Sequence, residues 1–517
     1  MLIRITGAKC IGIEAVPVTV EVDVNAGIGI HLVGLADAAV KESLLRTMTA
    51  LQSVGFRIPG RKVVINLAPA DMHKKGSGYD LPIALGIIAA SGQAELPELE
   101  KYLIMGELGL DGSIREVAGT LPMAELAEKS GYSGCIFPEI SAAEAAGYAG
   151  IRIFGVRTLR DVLRILSGTE DVRPWLVENA SHPFPAEEAA EKDYMDFAEI
   201  IGQETAKRGL EIAAAGGHNV ILIGSPGSGK SSLAKAMAGI LPPMSREEAL
   251  LTSKIFSVAG RGGRDGRSRQ RPFRAPHYSA SVAAIIGGGA GENILPGEIS
   301  LATNGILFLD EFTLMPRSVA EALRAPMEDR KVTVSRLRAK IEYPASFMLV
   351  AAANPCPCGY YGEGDRCTCS PGQRQGHLAR LSGPLMDRID IQLFLRSVEA
   401  GRLVGRQDGK GPERETSAVI AQRVRSAREI QRERLRQEGI SCNAEMNVRQ
   451  INRYCILSAE CRTVLEKLIA RMGLSARAFT RIIKLSRTIA DLEMTGDILP
   501  RHLLEAAGYR LLDRHNL

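Results

Sequence analysis

The stretch Gly224-Ser-Pro-Gly-Ser-Gly-Lys-Ser231 decides how the middle of this 517-residue chain folds. An apolar run, residues 219–223, precedes it, and residues 232–238 after it have the composition of a helix. A strand, a glycine-rich loop, Lys-Ser and a helix form a P-loop, whose backbone N–H groups and helix N-terminus bind phosphate oxygens. The residues assigned to it are Gly224, Ser225, Pro226, Gly227, Ser228, Gly229, Lys230, Ser231 and Ser232. We expect the chain to bind a nucleoside triphosphate, with an ordinary glycine-rich turn as the alternative.

Within this motif, Lys230 is expected to reach the β- and γ-phosphates, and the Ser231 hydroxyl to help hold Mg²⁺. A second apolar run, residues 305–309, ends in Asp310 and Glu311. A buried strand followed by two carboxylates predicts a second Mg²⁺ contact through Asp310. Glu311 is predicted to orient or deprotonate the attacking water. The alternative is a strand end whose acids are merely solvated.

A third apolar run, residues 346–353, ends at Asn354. An amide at that strand end is suited to position water beside the γ-phosphate. An asparagine after an apolar run is weak evidence alone. It becomes stronger evidence because it follows the P-loop and the Asp310-Glu311 motif in this order. The three motifs together predict a complete site for hydrolysing a nucleoside triphosphate, ATP or GTP, with Mg²⁺.

Composition and length predict several soluble domains. The chain is 45% hydrophobic and 24% charged, as in ordinary globular proteins, and a prior of roughly 150 residues per domain suggests three or so domains. The expected parts are an α/β domain at 1–170, a Pro- and acid-rich linker at 171–195, the nucleotide-binding core at 196–400, a glycine-rich linker at 401–412 and a helical part at 413–517.

The distribution of charge and the number of cysteines indicate the kind of partner and the cellular compartment. Residues 1–170 have 16 Lys and Arg against 19 Asp and Glu, whereas residues 413–517 have 19 against 13. We therefore expect an anionic partner for the later part. No apolar run approaches the ~18 residues of a membrane helix, and the start lacks a signal-peptide layout. Nine cysteines, an odd number, favour a reducing cytoplasm, and the lack of a long apolar run predicts no membrane partner.

Four of the cysteines are close together in sequence. Cys356, Cys358, Cys367 and Cys369 lie within 14 residues. Four thiolates can close a tetrahedral Zn²⁺ site and order a loop too small for its own core. The Cys-x-Cys pairs are tighter than the usual Cys-x₂-Cys spacing. Zinc and free thiols therefore both remain open.

The order of the three motifs resembles that of AAA+ ATPases. The segments Arg271-Pro-Phe-Arg-Ala-Pro-His-Tyr-Ser, Pro296-Gly-Glu-Ile-Ser-Leu-Ala, Asn354-Pro-Cys-Pro-Cys and Leu385-Met-Asp-Arg-Ile-Asp390 resemble its magnesium-chelatase branch. Together with the front domain they resemble the ComM/YifB family of Mg-chelatase-like bacterial ATPases over essentially the whole chain. The resemblance implies a hexameric ring motor of the AAA+ type.

The front domain has its own resemblance. The segments Lys75-Gly-Ser-Gly-Tyr-Asp80 and Gly106–Val117 resemble a Lon-protease-like (ribosomal protein S5 domain 2-like) domain. The serine nucleophile of Lon proteases falls near Gly78, and the segment after Gly119 has no lysine base. Ser77 and Lys75 lie close by without the expected partners. A non-proteolytic scaffold or partner-binding domain is expected, and an ATP-dependent protease is the alternative.

The expected fold is therefore α/β multidomain: a Lon-like N-terminal domain, a central P-loop AAA+ αβα domain of the Mg-chelatase type and a C-terminal helical lid. The resemblance implies that Arg388 is an arginine finger donated to a neighbouring subunit and that Arg477 is sensor 2 of the lid. A permanently charged guanidinium suits both roles. Either arginine is alternatively an ordinary surface residue.

Two basic segments predict a nucleic-acid partner. Residues 260–274 contain six arginines among glycines, a composition suited to phosphate-backbone contacts. Residues 330–340 resemble the presensor hairpin of this clade, which lies near the pore of a ring. The predicted DNA contacts are Arg264, Arg267, Arg269, Lys331, Arg336, Arg338 and Lys340. The alternative for each is a solvated charge.

The leading functional hypothesis is a motor that binds and translocates on single-stranded and branched DNA. By resemblance, it promotes branch migration or unwinding during recombination of incoming DNA in natural transformation. The alternative from another class is a chelatase subunit whose ATP cycle drives metal insertion into a tetrapyrrole. DNA-stimulated ATPase activity separates these hypotheses.

Overall fold

The computed structural model describes residues 1–34, 38–74, 76–146, 150–177, 194–262, 269–289, 294–336, 339–381, 383–397, 414–473 and 475–510. Strands are numbered β1–β18 and helices α1–α19 in chain order below. The described helices include none that is both long and apolar enough to cross a membrane.

The N-terminal part is built on a mixed seven-stranded sheet of order β3-β4-β2-β1-β5-β8-β9. Its strands and the small β6–β7 hairpin are β1 Leu2–Ile11, β2 Glu14–Asn25, β3 Ile30–Val33, β4 Lys62–Ala68, β5 Tyr102–Ile104, β6 Glu107–Leu108, β7 Ile114–Arg115, β8 Gly134–Pro138 and β9 Arg152–Val156. Its helices are α1 Ala38–Val54, α2 Asp80–Ala90, α3 Thr120–Lys129, α4 Glu139–Ala145 and α5 Leu159–Ser167.

The alternating valines of β2 place Val18, Val20 and Val22 in the core, as period-two patterning predicts. Helix α2 is buried along its whole length, which explains why its sequence is apolar on every side. It packs closely on the sheet at Gly86, where an added Cβ would come within 2.4 Å of Val22 Cγ2. Glycine at this position therefore permits the close approach of helix and strand.

The sequence of residues 103–114 predicts a hairpin that turns at Asp111-Gly112. The structure confirms the turn but shows a shorter hairpin. The antiparallel pairing is confined to β6 and β7, because Tyr102–Ile104 pairs in parallel with β1 and β8. Its three fully buried residues are typical of a central strand that is covered on both faces.

The central part contains a parallel five-stranded sheet of order β11-β14-β17-β10-β18. The strands of this part are β10 Val220–Gly224, β11 Phe273–Arg274, β12 Gly287–Gly288, β13 Leu295–Pro296, β14 Ile306–Leu309, β15 Lys331–Arg336, β16 Ala339–Pro344, β17 Met348–Ala353 and β18 Ile391–Leu395. Its helices are α6 Glu204–Gly216, α7 Lys230–Gly239, α8 Arg246–Val258, α9 Val282–Ile286, α10 Glu298–Leu301, α11 Arg317–Ala322, α12 Arg324–Asp329, α13 Pro371–Leu378 and α14 Gly383–Met386. Strands β10, β14 and β17 confirm the three predicted apolar strands.

Helices make up most of the described C-terminal part: α15 Ser417–Leu435, α16 Val448–Tyr454, α17 Ala459–Met472, α18 Ala476–Leu492 and α19 Pro500–Gly508. The sequence predicts an apolar stripe of Val419, Ile420, Val424, Ala427 and Ile430 on α15. Ile420, Val424 and Ala427 are buried, whereas Ile430 is half-buried and Val419 is 48% exposed. The three buried residues share one hydrophobic core with α6 and with one face of the parallel sheet. The helices therefore pack directly against the element that precedes the P-loop.

The N-terminal part contacts the central part through α3 and α8. The backbone N–H of Gly119 donates to the carbonyl of Ser257 at 3.0 Å. Glu125 accepts from Lys129 at 2.9 Å and also pairs with Lys254 of α8. Because Lys254 and Glu125 are both largely buried, this contact is a charged link inside an interface rather than a surface pair.

Candidate nucleotide-binding site

The P-loop lies where β10 ends and α7 begins. Gly227 and Gly229 have φ values of 78° and 89°, a left-handed conformation that costs glycine little. Gly224 lies so close to β18 that an added Cβ would be 2.7 Å from Leu395 Cβ. This backbone directs the N-terminus of α7 toward the carboxyl edge of the parallel sheet, where open α/β sheets bind ligands.

Lys230 spans the loop that it belongs to. Its ammonium donates to the carbonyls of Gly224 at 2.7 Å and Ser225 at 3.0 Å. It also donates to Asn354 Oδ1 at 3.1 Å. Burial lowers the pKa of Lys230, and the nearby carboxylates of Asp310 and Glu311 oppose that effect. A partly desolvated cation at this position is suited to bind phosphate oxygens.

The oxygens of Ser231 and Asp310 are suited to a magnesium ion. The Ser231 hydroxyl donates to Asp310 Oδ2 at 2.9 Å, and adjacent oxygen ligands of octahedral Mg²⁺ are about 3.0 Å apart. The next residue, Glu311, has φ 48° and donates its backbone N–H to Asp310 Oδ1 at 2.8 Å. This bond orients the Asp310 carboxylate toward Ser231.

Asn354 follows β17, between the other two motif strands in the sheet. Its side chain accepts from Lys230, and its carbonyl lies 3.1 Å from His377 Nε2. The structure therefore brings Lys230, Ser231, Asp310 and Asn354 to one edge of the sheet. Their roles in catalysis stay predictions.

Arg388 lies at the opposite edge of this sheet. The amide of Asn219, just before β10, donates to its backbone carbonyl at 3.1 Å, whereas the P-loop follows the other end of β10. A five-residue strand separates the two edges by about 16 Å. The Arg388 guanidinium contacts Glu328 at 2.8 Å and the Pro384 carbonyl at 2.6 Å.

Arg477 is on the same side as Arg388. Its guanidinium lies 3.8 Å from Asp387 and its side chain is 59% exposed. The structure therefore places both predicted arginines next to each other and away from the P-loop of their own chain.

Asp390 connects the sheet to the C-terminal helices at this edge. It accepts from the backbone N–H of Asn219 at 3.1 Å, lies 3.4 Å from His218 Nδ1 and pairs with Arg481 of α18. Burial acts to raise the pKa of Asp390, but Arg481 and His218 outweigh it and hold that pKa well below its usual range. A buried, ionised carboxylate directly before β18 therefore pairs with α18.

Two residues beside the P-loop had no signal in the sequence. Gln203 donates to the carbonyl of Ser228 at 3.3 Å and to that of Arg396 at 2.7 Å. Glu363 accepts from the Ser225 hydroxyl at 2.8 Å. Gln203 has φ 63°, which is uncommon outside glycine, but neither residue belongs to a motif. Only the tertiary structure identifies them.

The four clustered cysteines approach one another closely. All four sulfurs lie within 4.8 Å of one another. Cys356 Sγ is 3.3 Å from Cys358 Sγ and 3.8 Å from Cys367 Sγ. Sulfurs around Zn²⁺, with bonds of about 2.3 Å, are about 3.8 Å apart. The cluster therefore matches the size and the donor set of a tetrahedral zinc site.

The predicted DNA contacts differ in their surroundings. Arg264, Arg267 and Arg338 lie outside the described residues. Arg269 donates to the carbonyl of Met244 at 3.0 Å, and Lys331 pairs with Glu342 at 3.1 Å across the β15–β16 hairpin. Arg336 and Lys340 are exposed near the hairpin tip.

Two arginines from the same basic segment have structural contacts. Arg271 is largely buried and pairs with Glu248 at 3.0 Å, and Arg274 pairs with Glu298 at 2.6 Å. Some arginines of residues 260–274 therefore form ion pairs within the fold rather than a surface for DNA.

Glycine occupies the position expected for the Lon nucleophile. A Cβ added at Gly78 would lie 2.9 Å from Met105 Cε, the far end of a flexible side chain that can shift. The neighbouring Ser77 hydroxyl donates to the carboxylate of Glu107 rather than to a base such as lysine. Lys75 lies outside the described residues. These contacts favour the non-proteolytic interpretation, and the Lon-like assignment itself stays a prediction.

Comparison with known proteins identifies the family. The model described as "Magnesium chelatase, subunit ChlI" matches residues 196–403, and two related ChlI models match residues 20–141 and 414–510. The chain is 42% identical over 505 residues to YifB of Salmonella typhimurium, covering 98% of this chain and 96% of that protein. It is 42% identical over 504 residues to the competence protein ComM of Haemophilus influenzae, covering 97% and 96%.

The chain belongs to the ComM/YifB family of Mg-chelatase-like AAA+ proteins. Membership in this family indicates an ATPase that uses ATP and Mg²⁺. A weaker similarity, 25% identity over 354 residues, links the chain to the DNA replication licensing factor Mcm6 of Drosophila melanogaster. That match covers 62% of this chain and 37% of the other protein.

Proposed function

We propose that this member of the ComM/YifB family is an ATP-driven ring motor that acts on DNA. The observation that carries the proposal is the convergence of Lys230, Ser231, Asp310 and Asn354 at one edge of the parallel sheet. Mg·ATP, when bound, supplies the transferable phosphoryl group and a metal that offsets its charge. Lys230 holds the phosphates, Ser231 and Asp310 hold the metal, and Glu311 and Asn354 orient water.

The edge at which Arg388 and Arg477 lie supports an intersubunit site. Neither guanidinium contacts the P-loop of its own chain, and β10 separates the two edges by about 16 Å. In a ring, an arginine on that edge faces the next subunit. We assign both arginines to the neighbour's nucleotide, with Arg388 exchanging its contact to Glu328 for a phosphate oxygen. ATP hydrolysis then requires that the subunits assemble, because each site needs arginines from its neighbour. We propose that the assembly is a hexamer.

The β15–β16 hairpin supports the DNA partner. Arg336 and Lys340 are exposed near its tip, where cations are available to a phosphate backbone. The relatives point the same way, since one is named a competence protein and another a DNA replication licensing factor. We propose translocation on single-stranded and branched DNA, with branch migration or unwinding of incoming DNA in the cytoplasm during natural transformation.

We also infer that the four clustered cysteines bind Zn²⁺, because their sulfur separations match a tetrahedral site. A chelatase-type role, metal insertion into a tetrapyrrole, is a second candidate. It is favoured by the family models that match all three parts of the chain, since each is described by a magnesium chelatase subunit.

DNA-dependent ATP hydrolysis tests the proposal. Phosphate release is measured with no DNA, with forked DNA and with four-way junctions, and strand displacement is followed on the same substrates. The motor predicts strong stimulation, whereas active hydrolysis that no DNA stimulates contradicts it and favours the chelatase role.

A pair of variants tests the hairpin. The double variant Arg336→Ala/Lys340→Ala is expected to weaken DNA binding for every sequence. It should reduce the slope of log affinity against log salt by about 0.7 for each lost single-strand phosphate contact. The matched control is Lys467→Ala, which removes an exposed lysine from α17. Equal salt slopes for the double variant and the control would contradict the assignment.

A further inference from the structure

The segment Cys356–Cys369, called the cysteine loop below, directly follows Asn354 and lies against the P-loop. Its residue Gly359 has φ 86°, and a Cβ added there would be 2.8 Å from Pro226 Cδ. The close approach leaves no room for a larger side chain. The cysteine loop and the phosphate-binding loop are therefore in direct van der Waals contact.

Glu363, at the middle of the cysteine loop, joins it to two other segments. Its Oε1 accepts from the Ser225 hydroxyl at 2.8 Å and from the backbone N–H of Ser397 at 2.8 Å. Its second oxygen accepts from the Ser397 hydroxyl. One carboxylate thus holds the start of the P-loop and the chain that follows β18. Hydrogen bonds to Ser397 and Ser225 lower the pKa of Glu363, so it accepts them as an ion.

The cysteine loop has few apolar side chains whose packing could keep it ordered. Of the four thiols only Cys356 is buried, and the residues between Cys358 and Cys367 are mainly polar, with an exposed Tyr361. Without a core of its own, such a loop needs a covalent or metal link to keep one conformation. The four sulfurs, within 4.8 Å of one another, provide that link once a metal joins them.

We propose that Zn²⁺ bound by Cys356, Cys358, Cys367 and Cys369 holds Glu363 and Gly359 against the P-loop, so that metal occupancy sets the affinity for ATP. This regulation rests on the proposed nucleotide site. With zinc bound, Glu363 keeps the Ser225 end of the P-loop in its binding conformation. Without zinc, the cysteine loop loses its order, and ATP binding must also restore the conformation of the P-loop.

The test uses the full-length chain and a fluorescent ATP analogue. Zinc per chain is measured by mass spectrometry, and the dissociation constant is measured before and after a zinc-selective chelator and again after zinc is returned. We expect one zinc per chain. Removal should weaken ATP binding about tenfold, as expected for losing one hydrogen bond to a charged group, and zinc should restore it.

Two variants separate the metal effect from general damage to the fold. Glu363→Ala should keep its zinc, bind ATP about tenfold more weakly and show little further change on chelation, because the link is already broken. The matched control is Asp365→Ala, which removes an exposed carboxylate from the same loop. It should behave as the wild type in every measurement.

The outcomes are distinct. A chain purified without zinc that also takes up none overturns the proposal, as does an ATP affinity unchanged by chelation; in both cases the ATPase proposal stands. A zinc-loaded wild type that does not bind ATP overturns the nucleotide site and the proposed regulation with it, while its zinc content still establishes the metal site.

Discussion

Replacing Asp390 by asparagine tests whether a buried charge holds the C-terminal helices to the ATPase sheet. The Asp390 side chain is 7% exposed, its partner Arg481 is 19% exposed and His218 is fully buried. Asparagine keeps the size and still accepts from the backbone N–H of Asn219, so mainly the charge is lost. Removing one partner of a buried ion pair costs about 3–5 kcal/mol. Because Arg481 reaches some solvent, we expect about 3 kcal/mol.

Urea unfolding at pH 7.5, followed by far-UV circular dichroism, measures this loss as a lower transition midpoint. The matched control is Asp387→Asn, the same substitution three residues earlier. Asp387 is 41% exposed and lies 3.8 Å from Arg477, so the control should cost about 0.5 kcal/mol or less. Equal midpoints for the two variants would refute the reasoning that burial makes the Asp390 charge important.

Acidification adds a second test of the same network. Burial lowers the pKa of His218, and Asp390 opposes that effect. Because the unfolded chain takes up this proton near pH 6.5 and the folded chain resists it, stability falls below that pH. Asp390 itself has a lowered pKa, so its own contribution persists down to about pH 4. Because His218 stays buried in the Asp390→Asn variant and loses the carboxylate that opposes the effect of burial, the stability of the variant should fall below pH 6.5 at least as steeply as that of the wild type. A shallower fall in the variant would contradict the contact.

Three further predictions concern the site and the domain contact. Glu311→Gln should bind the fluorescent ATP analogue as the wild type does but release phosphate about 100-fold more slowly; equal losses of both would contradict its role with water. Mixing Arg388→Ala chains with Lys230→Ala chains should restore part of the ATPase activity, and no recovery in rings shown to be mixed would count against a finger in trans. Lys254→Met should cost about 1–2 kcal/mol, less than a fully broken buried pair because Lys129 still contacts Glu125. It should speed hydrogen exchange at the amide of Gly119, and unchanged exchange would mean that the ion pair does not hold this contact.

Local sequence patterns are sufficient to predict the three strands after which the residues of the nucleotide site follow. The runs that become β10, β14 and β17 are short, apolar and followed by glycine or polar residues, which is a sequence-local signal for buried strands. A period of 3.6 also predicts the buried positions Ile420, Val424 and Ala427 of α15, but the predicted stripe wrongly includes Val419, which is exposed. The hairpin that turns at Asp111-Gly112 is shorter than the sequence predicts, because a central strand of three residues, β5, is too short for its pattern to show its partners.

What the sequence determined by itself is the chemistry of the nucleotide site. Lys230 and Ser231, the carboxylates after β14 and the amide after β17 each follow a strand, and parallel strands bring their carboxyl ends to one edge. The family resemblance, which the comparisons confirm, specifies ATP as the nucleotide.

The surroundings of that site depend on the tertiary structure. Arg388 lies at the edge opposite the P-loop because it precedes β18, and the fold aligns β18 parallel to β10. The contact of Ser225 with Glu363 joins residues 138 positions apart. Neither follows from periodicity, because hydrophobic patterning specifies which face of a strand is buried but not which strand lies beside it. Those pairings depend on how the whole core packs, and they determine which arginines can face a neighbouring subunit and which loop contacts the P-loop.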